Sequence, residues 1–112
     1  MISNQDKALI SELWSSFFDF CSDGDLPSAR TMLGQLEDAF DNIKGIRSDI
    51  NSALKIKLRD IRDGLSSKDI EKALDAFDGL TTQLQVNLYI KLDPHYVNRR
   101  SFENFLKRGF DC

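Results

Sequence analysis

His95 is the only histidine of the chain, so any mechanism that uses an imidazole must use this position. A zinc site would need a second histidine or a cysteine three or four residues away, or a Cys-x-x-Cys pair elsewhere, and the sequence has neither. Histidine phosphotransfer domains carry their histidine in the middle of a helix, whereas His95 follows Pro94 in a predicted connection. We therefore predict a surface or loop-packing role for His95, and we expect neither a metal nor a cofactor.

Cys21 is the second residue whose type could support catalysis. A nucleophilic cysteine needs a base and an electropositive setting, but Asp19 and Asp23 flank this thiol, and carboxylates raise a thiol pKa. Residues 19–24 also begin like a calcium loop, yet the twelfth position, where a glutamate closes the coordination shell, is Arg30. Phosphate-binding glycine loops and nucleophile-elbow motifs are absent from the sequence as well. We therefore predict no catalytic residue and a protein that is not an enzyme.

Acidic residues are concentrated in the first third of the chain. Residues 1–41 hold eight acidic and two basic side chains, a net charge of −6, which leaves +3 for residues 42–112. The same region carries an aromatic helix face that is wider than a core stripe requires. Carboxylates steer a basic partner and an exposed aromatic anchors it, although a solvated acidic face and ordinary core packing are the competing interpretations. The predicted protein-binding residues are Glu12, Trp14, Asp19, Asp23 and Asp25.

Basic residues gather near the end of the chain, where aromatic residues interleave with them. Lysine and arginine neutralise phosphates, which dominates affinity for nucleic acids. The residues that would form such a patch are Arg99, Arg100, Lys107 and Arg108. Glu103 and Asp111 are interspersed with them, and no clear helix-turn-helix is present. A nucleic-acid-binding regulator is therefore the alternative function.

The leading prediction is a small non-enzymatic helical protein that binds another protein. Its role would be that of an inhibitor, an immunity-type antidote, an adaptor or an accessory subunit, acting as a monomer or a homodimer. Two cysteines do not make the dense disulfide framework of a small secreted domain, and the second of them is Cys112 at the end of the sequence. With no signal-like start and no long uncharged apolar run, we predict a cytoplasmic protein without a membrane partner.

The elements that must position these residues are predicted to be helices throughout. Hydrophobic residues make up 41% of the 112-residue chain, which is enough for a core, and their spacing repeats every three to four residues. We predict a compact all-α bundle of four to six short helices that forms one domain over residues 1–112. Its first helix should start with Ser3 as N-cap and run to about Ser22, and Pro27 should open the second after a turn at Gly24.

The boundaries of the later helices are less clearly marked in the sequence. Lys44 and Gly45 favour a break between helices two and three, although the apolar stripe also fits one long bent helix. With a break, Ser48 should cap helix three and Gly64 should end it. A fourth helix should begin after Ser66 or Ser67, and Ser101 should cap the last one.

Residues 84–92 fit two structures. Apolar and polar residues alternate along this segment, which is typical of a strand, but the apolar residues also continue a helical stripe. A lone strand in a helical protein would leave its backbone groups unpaired unless a partner supplied a second strand. We therefore favour a helix, with a pairing edge strand as the alternative.

Overall fold

The helices found in the chain agree with the predicted class. The computed structural model describes residues 2–111, and Met1 and Cys112 lie outside the described residues. In chain order the elements are α1 (Asn4–Ser22), α2 (Leu26–Asn42), α3 (Ser48–Ser67), α4 (Ile70–Val86), a short 3-10 helix (Pro94–Val97) and α5 (Arg99–Phe110). Residues 2–111 thus contain five α-helices and no strand, which confirms the all-α bundle of four to six helices.

The start of α1 and the turn after it form as predicted. The Ser3 hydroxyl accepts a hydrogen bond from the Asp6 amide at 3.1 Å, and α1 ends at Ser22. Gly24 has a φ of 78°, a left-handed conformation that glycine adopts without a steric penalty. Asp25 then caps α2, because its carboxylate accepts from the Ser28 amide at 3.2 Å and from the Ser28 hydroxyl at 2.7 Å. These hydrogen bonds lower the pKa of Asp25.

Helices α2 and α3 are separate, as favoured from the sequence. Gly45 lies in the connection with a φ of 98°, which an L side chain would strain. The predicted cap of α3 was wrong, since Arg47 precedes the helix without a side-chain capping bond and Ser48 is its first residue. The predicted end was also wrong. Gly64 lies inside α3, where a Cβ would meet the Cβ of Ala73 at 2.9 Å, so this glycine lets α4 approach closely.

The segment after α4 is neither of the two predicted structures. α4 ends at Val86, and residues 87–93 form no helix and no strand. Leu88, Ile90 and Leu92 are buried while Tyr89 and Lys91 are exposed, so the alternation reflects an irregular segment that packs every second side chain inward. The Ile90 amide donates to the Leu84 carbonyl at 3.0 Å, which satisfies a free carbonyl at the end of α4 without a partner strand.

The last helix starts earlier than its predicted cap. Asn98 is the N-cap of α5, and its side-chain oxygen accepts from the Ser101 amide at 3.0 Å. Ser101 is therefore the donor in this cap and not the capping residue. The preceding 3-10 helix is fixed in the same way by Asp93, whose carboxylate accepts from the His95 amide at 2.9 Å.

All five α-helices contribute to one buried core. α1 packs mainly against α2, α3 packs mainly against α4, and α5 lies across α1 and α4. The centre is aromatic: the Phe77 and Phe102 rings stack with centroids 4.3 Å apart, and Trp14 lies 5.4 Å from Phe77. In residues 2–111, no helix combines the length and the apolar character needed to cross a bilayer.

Candidate functional site

Trp14 does not belong to a binding surface, which corrects the prediction from the sequence. Its side chain is completely buried, and its indole Nε1 donates to the Tyr96 carbonyl oxygen at 2.8 Å. Phe17 and Phe18 are equally buried. The aromatic face of α1 is covered on one side by the 3-10 helix and α5, so a wide stripe becomes core.

The four predicted carboxylates remain at the surface. Glu12, Asp19 and Asp23 are exposed and lie seven and four residues apart, which places them on one side of α1. We call these three residues the acidic face. Within residues 2–111 none of them forms an ion pair or a side-chain hydrogen bond. Asp25 is also exposed and adjoins the acidic face at the turn, with its carboxylate held by Ser28.

Two residues of the acidic face lie at the negative end of the helix dipole. Asp19 is in the last turn of α1, Asp23 is its C-cap residue, and this turn carries no basic side chain. Negative charge at a helix C-terminus is destabilising because the free carbonyls there already carry partial negative charge. We therefore expect Asp19 and Asp23 to lower the stability of α1 in the isolated chain.

An apolar side chain borders the acidic face. Leu9 is 43% exposed and lies three residues before Glu12, hence on the same side of α1. Ala8, Leu9 and Glu12 line one shallow depression. Leu9 thus occupies the position of an exposed apolar contact that the sequence interpretation gave to Trp14.

The four predicted basic residues form two separate groups, one at each end of α5. Arg99 pairs with Asp78 and lies 3.9 Å from the Asp75 carboxylate of α4, while Arg100 is exposed beside it. Lys107 and Arg108 lie eight residues after Arg99 and Arg100, about 12 Å along the helix axis at 1.5 Å per residue. There, the Lys107 Nζ lies 2.9 Å from the Glu103 carboxylate. The Arg108 guanidinium lies over the Phe105 ring, 5.4 Å from its centroid.

The two residues whose types could support catalysis both pack against the core. His95 is exposed in the 3-10 helix, and its ring packs edge-on against Phe18 with centroids 5.2 Å apart. Burial raises the pKa of the Cys21 thiol to about 12, which disfavours the nucleophilic thiolate. In the described part of the chain, no three His, Cys, Asp or Glu side chains come together as a metal-binding group.

The sequence interpretation missed one surface, a cleft near the start of α1. Its residues are far apart in sequence, and they are Ile2, Gly45, Ile46, Arg47, Ile50, Asn87, Leu88 and Tyr89. Tyr89 is 68% exposed although the residues on either side of it are buried. The alternation of apolar and polar residues over 84–92 was the signal for this surface. If Leu88 and Ile90 face the core, Tyr89 between them faces solvent.

The arrangement of these side chains is suited to noncovalent recognition. The acidic face offers negative charge beside Leu9, and the cleft offers aliphatic walls beside an exposed aromatic ring. Such surfaces bind peptides or proteins through charge and apolar contact. Comparison of the chain with protein-family models, with curated proteins and with solved structures returns no match.

Proposed function

We propose that this protein acts without catalysis, by binding a basic segment of another protein through the acidic face. The observation that carries the proposal is the position of Glu12, Asp19 and Asp23: they share one exposed side of α1 and have no ion pair within residues 2–111. A basic partner would supply the missing counter-charges. The corresponding roles are those of an inhibitor, an immunity-type antidote, an adaptor or an accessory subunit.

Two of the three carboxylates of α2 provide an internal contrast. Asp41 accepts from Lys55 at 2.7 Å, and Glu37 contacts Arg59 at 3.1 Å and Arg62 at 3.6 Å. These ion pairs link α2 to α3 and so belong to the fold. The carboxylates of α1 have no such intramolecular task, which supports a role for them outside the chain.

The position of the acidic face on α1 supports the same conclusion. Local rules of helix stability are most often broken where a protein needs a residue for function. Asp19 and Asp23 break the rule that acidic residues avoid a helix C-terminus. A lysine or arginine of a partner, placed beside this end of α1, would relieve both the repulsion and the dipole penalty.

Charge on this surface would mainly set the rate and specificity of association. Exposed ion pairs contribute only about 0.2–1 kcal/mol each, while complementary charge accelerates encounter and excludes acidic partners. Leu9 would add an apolar contact next to Glu12. The expected complex therefore forms fast, weakens with added salt, and depends on Leu9 for part of its affinity.

The test is affinity capture from native lysate with a triple variant of the acidic face, Glu12→Gln, Asp19→Asn and Asp23→Asn. A matched control with the same change in charge is Asp38→Asn, Glu71→Gln and Asp111→Asn, three exposed carboxylates outside α1. We expect the wild type and the control to retain a basic protein that the triple variant loses, and light scattering to give the mass of the complex. Equal capture by all three proteins, or equal loss in both triple variants, would refute the proposal.

A further inference from the structure

A second surface of different character opens at the cleft near the start of α1. The cleft has a volume of about 230 Å³, and four of its eight lining residues are aliphatic: Ile2, Ile46, Ile50 and Leu88. These residues come from the start of the chain, the connection between α2 and α3, the first turn of α3 and the segment after α4. Pockets for drug-sized ligands measure roughly 300–1,000 Å³, so this cleft has room for one large side chain.

Tyr89 stands at the rim of this cleft in a strained conformation. It has a φ of 55° in the left-handed region, which is unfavourable for a residue with a Cβ, and its side chain is 68% exposed. Val86, one helical turn earlier, is 62% exposed. The exposed apolar surface of these two residues does not benefit the isolated fold, and it is typical of residues that contact a partner.

The charged residues that line the cleft and the depression beside it are all basic. Tyr89 also borders a neighbouring depression that is lined by Lys7 and Lys91. The residues that line these two depressions include three cations, the third being Arg47, and no carboxylate. Arg47 pairs with Asp49 at 2.9 Å, whereas Lys7 and Lys91 form no ion pair within residues 2–111. The complementary ligand is therefore apolar at its centre and negatively charged beside it.

We propose that the Tyr89 cleft binds an acidic peptide segment of a partner protein. One large aliphatic or aromatic side chain of the segment lies against Ile46, Ile50 and Leu88, and its carboxylates lie beside Lys7 and Lys91. A nucleic acid fits these walls poorly, because base edges need hydrogen-bond partners that aliphatic side chains do not offer. The cleft is a different surface from the acidic face and selects the opposite charge, so the two proposals stand or fall independently.

The direct test is fluorescence anisotropy with a labelled peptide, Asp-Glu-Asp-Leu-Phe-Glu-Asp-Glu. Two control peptides replace its acidic residues by lysine or its Leu-Phe pair by Gly-Ser. We expect the acidic peptide to bind at least tenfold more tightly than either control. In the nitrogen-15 spectrum of the whole protein, the amide signals that move should be those of the cleft residues and their neighbours.

Three protein variants connect this binding to the cleft. Lys7→Glu with Lys91→Glu should weaken peptide binding at least tenfold, while the matched reversal Lys68→Glu with Lys72→Glu at exposed positions outside the cleft should leave binding unchanged. Tyr89→Gly should also weaken binding at least tenfold, and its Tm should equal or exceed that of the wild type because glycine relieves the strained φ. Weaker binding without a lower Tm would show that Tyr89 acts in binding and not in folding.

Several outcomes would overturn the proposal. The peptide with lysines could bind as tightly as the acidic one, or the two charge-reversal variants could weaken binding equally. A preference for a DNA duplex or for phosphatidylglycerol vesicles over the acidic peptide would assign the cleft to another class of ligand. Equal binding by Tyr89→Gly and the wild type would show that the exposed ring has no part in recognition.

Discussion

Neutralising the two aspartates at the end of α1 should stabilise the protein. The variant is Asp19→Asn with Asp23→Asn, which removes two negative charges from the last turn and the C-cap and keeps the size of both side chains. This result would be unusual for a surface substitution, since most of these are neutral or destabilising. The physical reason is the helix dipole, whose negative end now faces two carboxylates without a nearby cation on the same turn.

The magnitude follows from the exposure and position of the two groups. A charge in the first or last turn of an exposed helix changes stability by roughly 0.3–1 kcal/mol at low ionic strength, so the pair should contribute roughly 0.6–2 kcal/mol. For a domain of this size each kcal/mol corresponds to a Tm change of roughly 3–6 °C. The gain should shrink as salt is added, because both groups lie in solvent.

The opposite end of the same helix offers a matched control. Asp6 lies in the first turn of α1, where the dipole favours a negative charge. Asp6→Asn should therefore lower the stability of the protein by roughly 0.3–1 kcal/mol, the reverse of the change at Asp19 and Asp23. Urea unfolding followed by circular dichroism at low and high salt measures both effects in the free protein.

The signs of the two stability changes test the helix-dipole explanation. A loss of stability in the Asp19→Asn and Asp23→Asn variant would mean that the carboxylates support the fold of α1 and need no partner. A gain from Asp6→Asn would show that the dipole does not govern this helix. If the first variant is stabilised and also loses a basic partner in affinity capture, the acidic face is maintained at a cost to the free protein.

Three further predictions concern the core, the helix packing and the alternative function. Burial raises the pKa of the Cys21 thiol from 9.0 to about 12, so the folded state keeps a proton that the unfolded chain loses. The stability of the wild type relative to Cys21→Ala should therefore be constant below pH 9.0 and fall as the pH rises toward 12, as measured by urea unfolding across this range. Gly64→Ala should lower stability by about 1–2 kcal/mol because the new Cβ would lie 2.9 Å from Ala73, whereas Gly34→Ala, with its nearest contact at 3.5 Å, should raise it by about 0.5–1 kcal/mol. A labelled DNA duplex at low salt should show no binding, and salt-sensitive binding that Arg99→Ala with Arg100→Ala weakens would instead favour the nucleic-acid function.

Features set by neighbouring residues could be predicted from the sequence. The Ser3 cap, the left-handed turn at Gly24 and the break at Gly45 depend on interactions within a few residues, and all three occur as expected. The same local reasoning was wrong at Gly64. This glycine lets α4 approach closely, and α3 does not end at it. A glycine that is needed for close packing and a glycine that ends a helix have the same appearance in a sequence.

The fate of the aromatic residues depends on contacts that no local pattern contains. Trp14 is buried, and the carbonyl that accepts its indole hydrogen bond at 2.8 Å belongs to Tyr96, 82 residues later. Phe18 likewise meets His95, Tyr96 and Phe105 from the end of the chain. The width of the aromatic stripe on α1 was therefore a sign of two covering elements, the 3-10 helix and α5, and not of an exposed surface.

Contacts between distant residues also account for part of the uneven charge of the chain. They reduce the number of carboxylates that belong to the candidate site. The net charge of −6 over residues 1–41 includes Glu37 and Asp41, which pair with arginines and a lysine of α3. Those pairs join residues 14, 22 and 25 positions apart, separations at which sequence alone does not reveal partners. Part of the apparent acidic excess is thus neutralised inside the fold. Of the carboxylates that keep no ion pair within residues 2–111, Asp19 and Asp23 lie at the end of α1, where negative charge is least favourable for the helix.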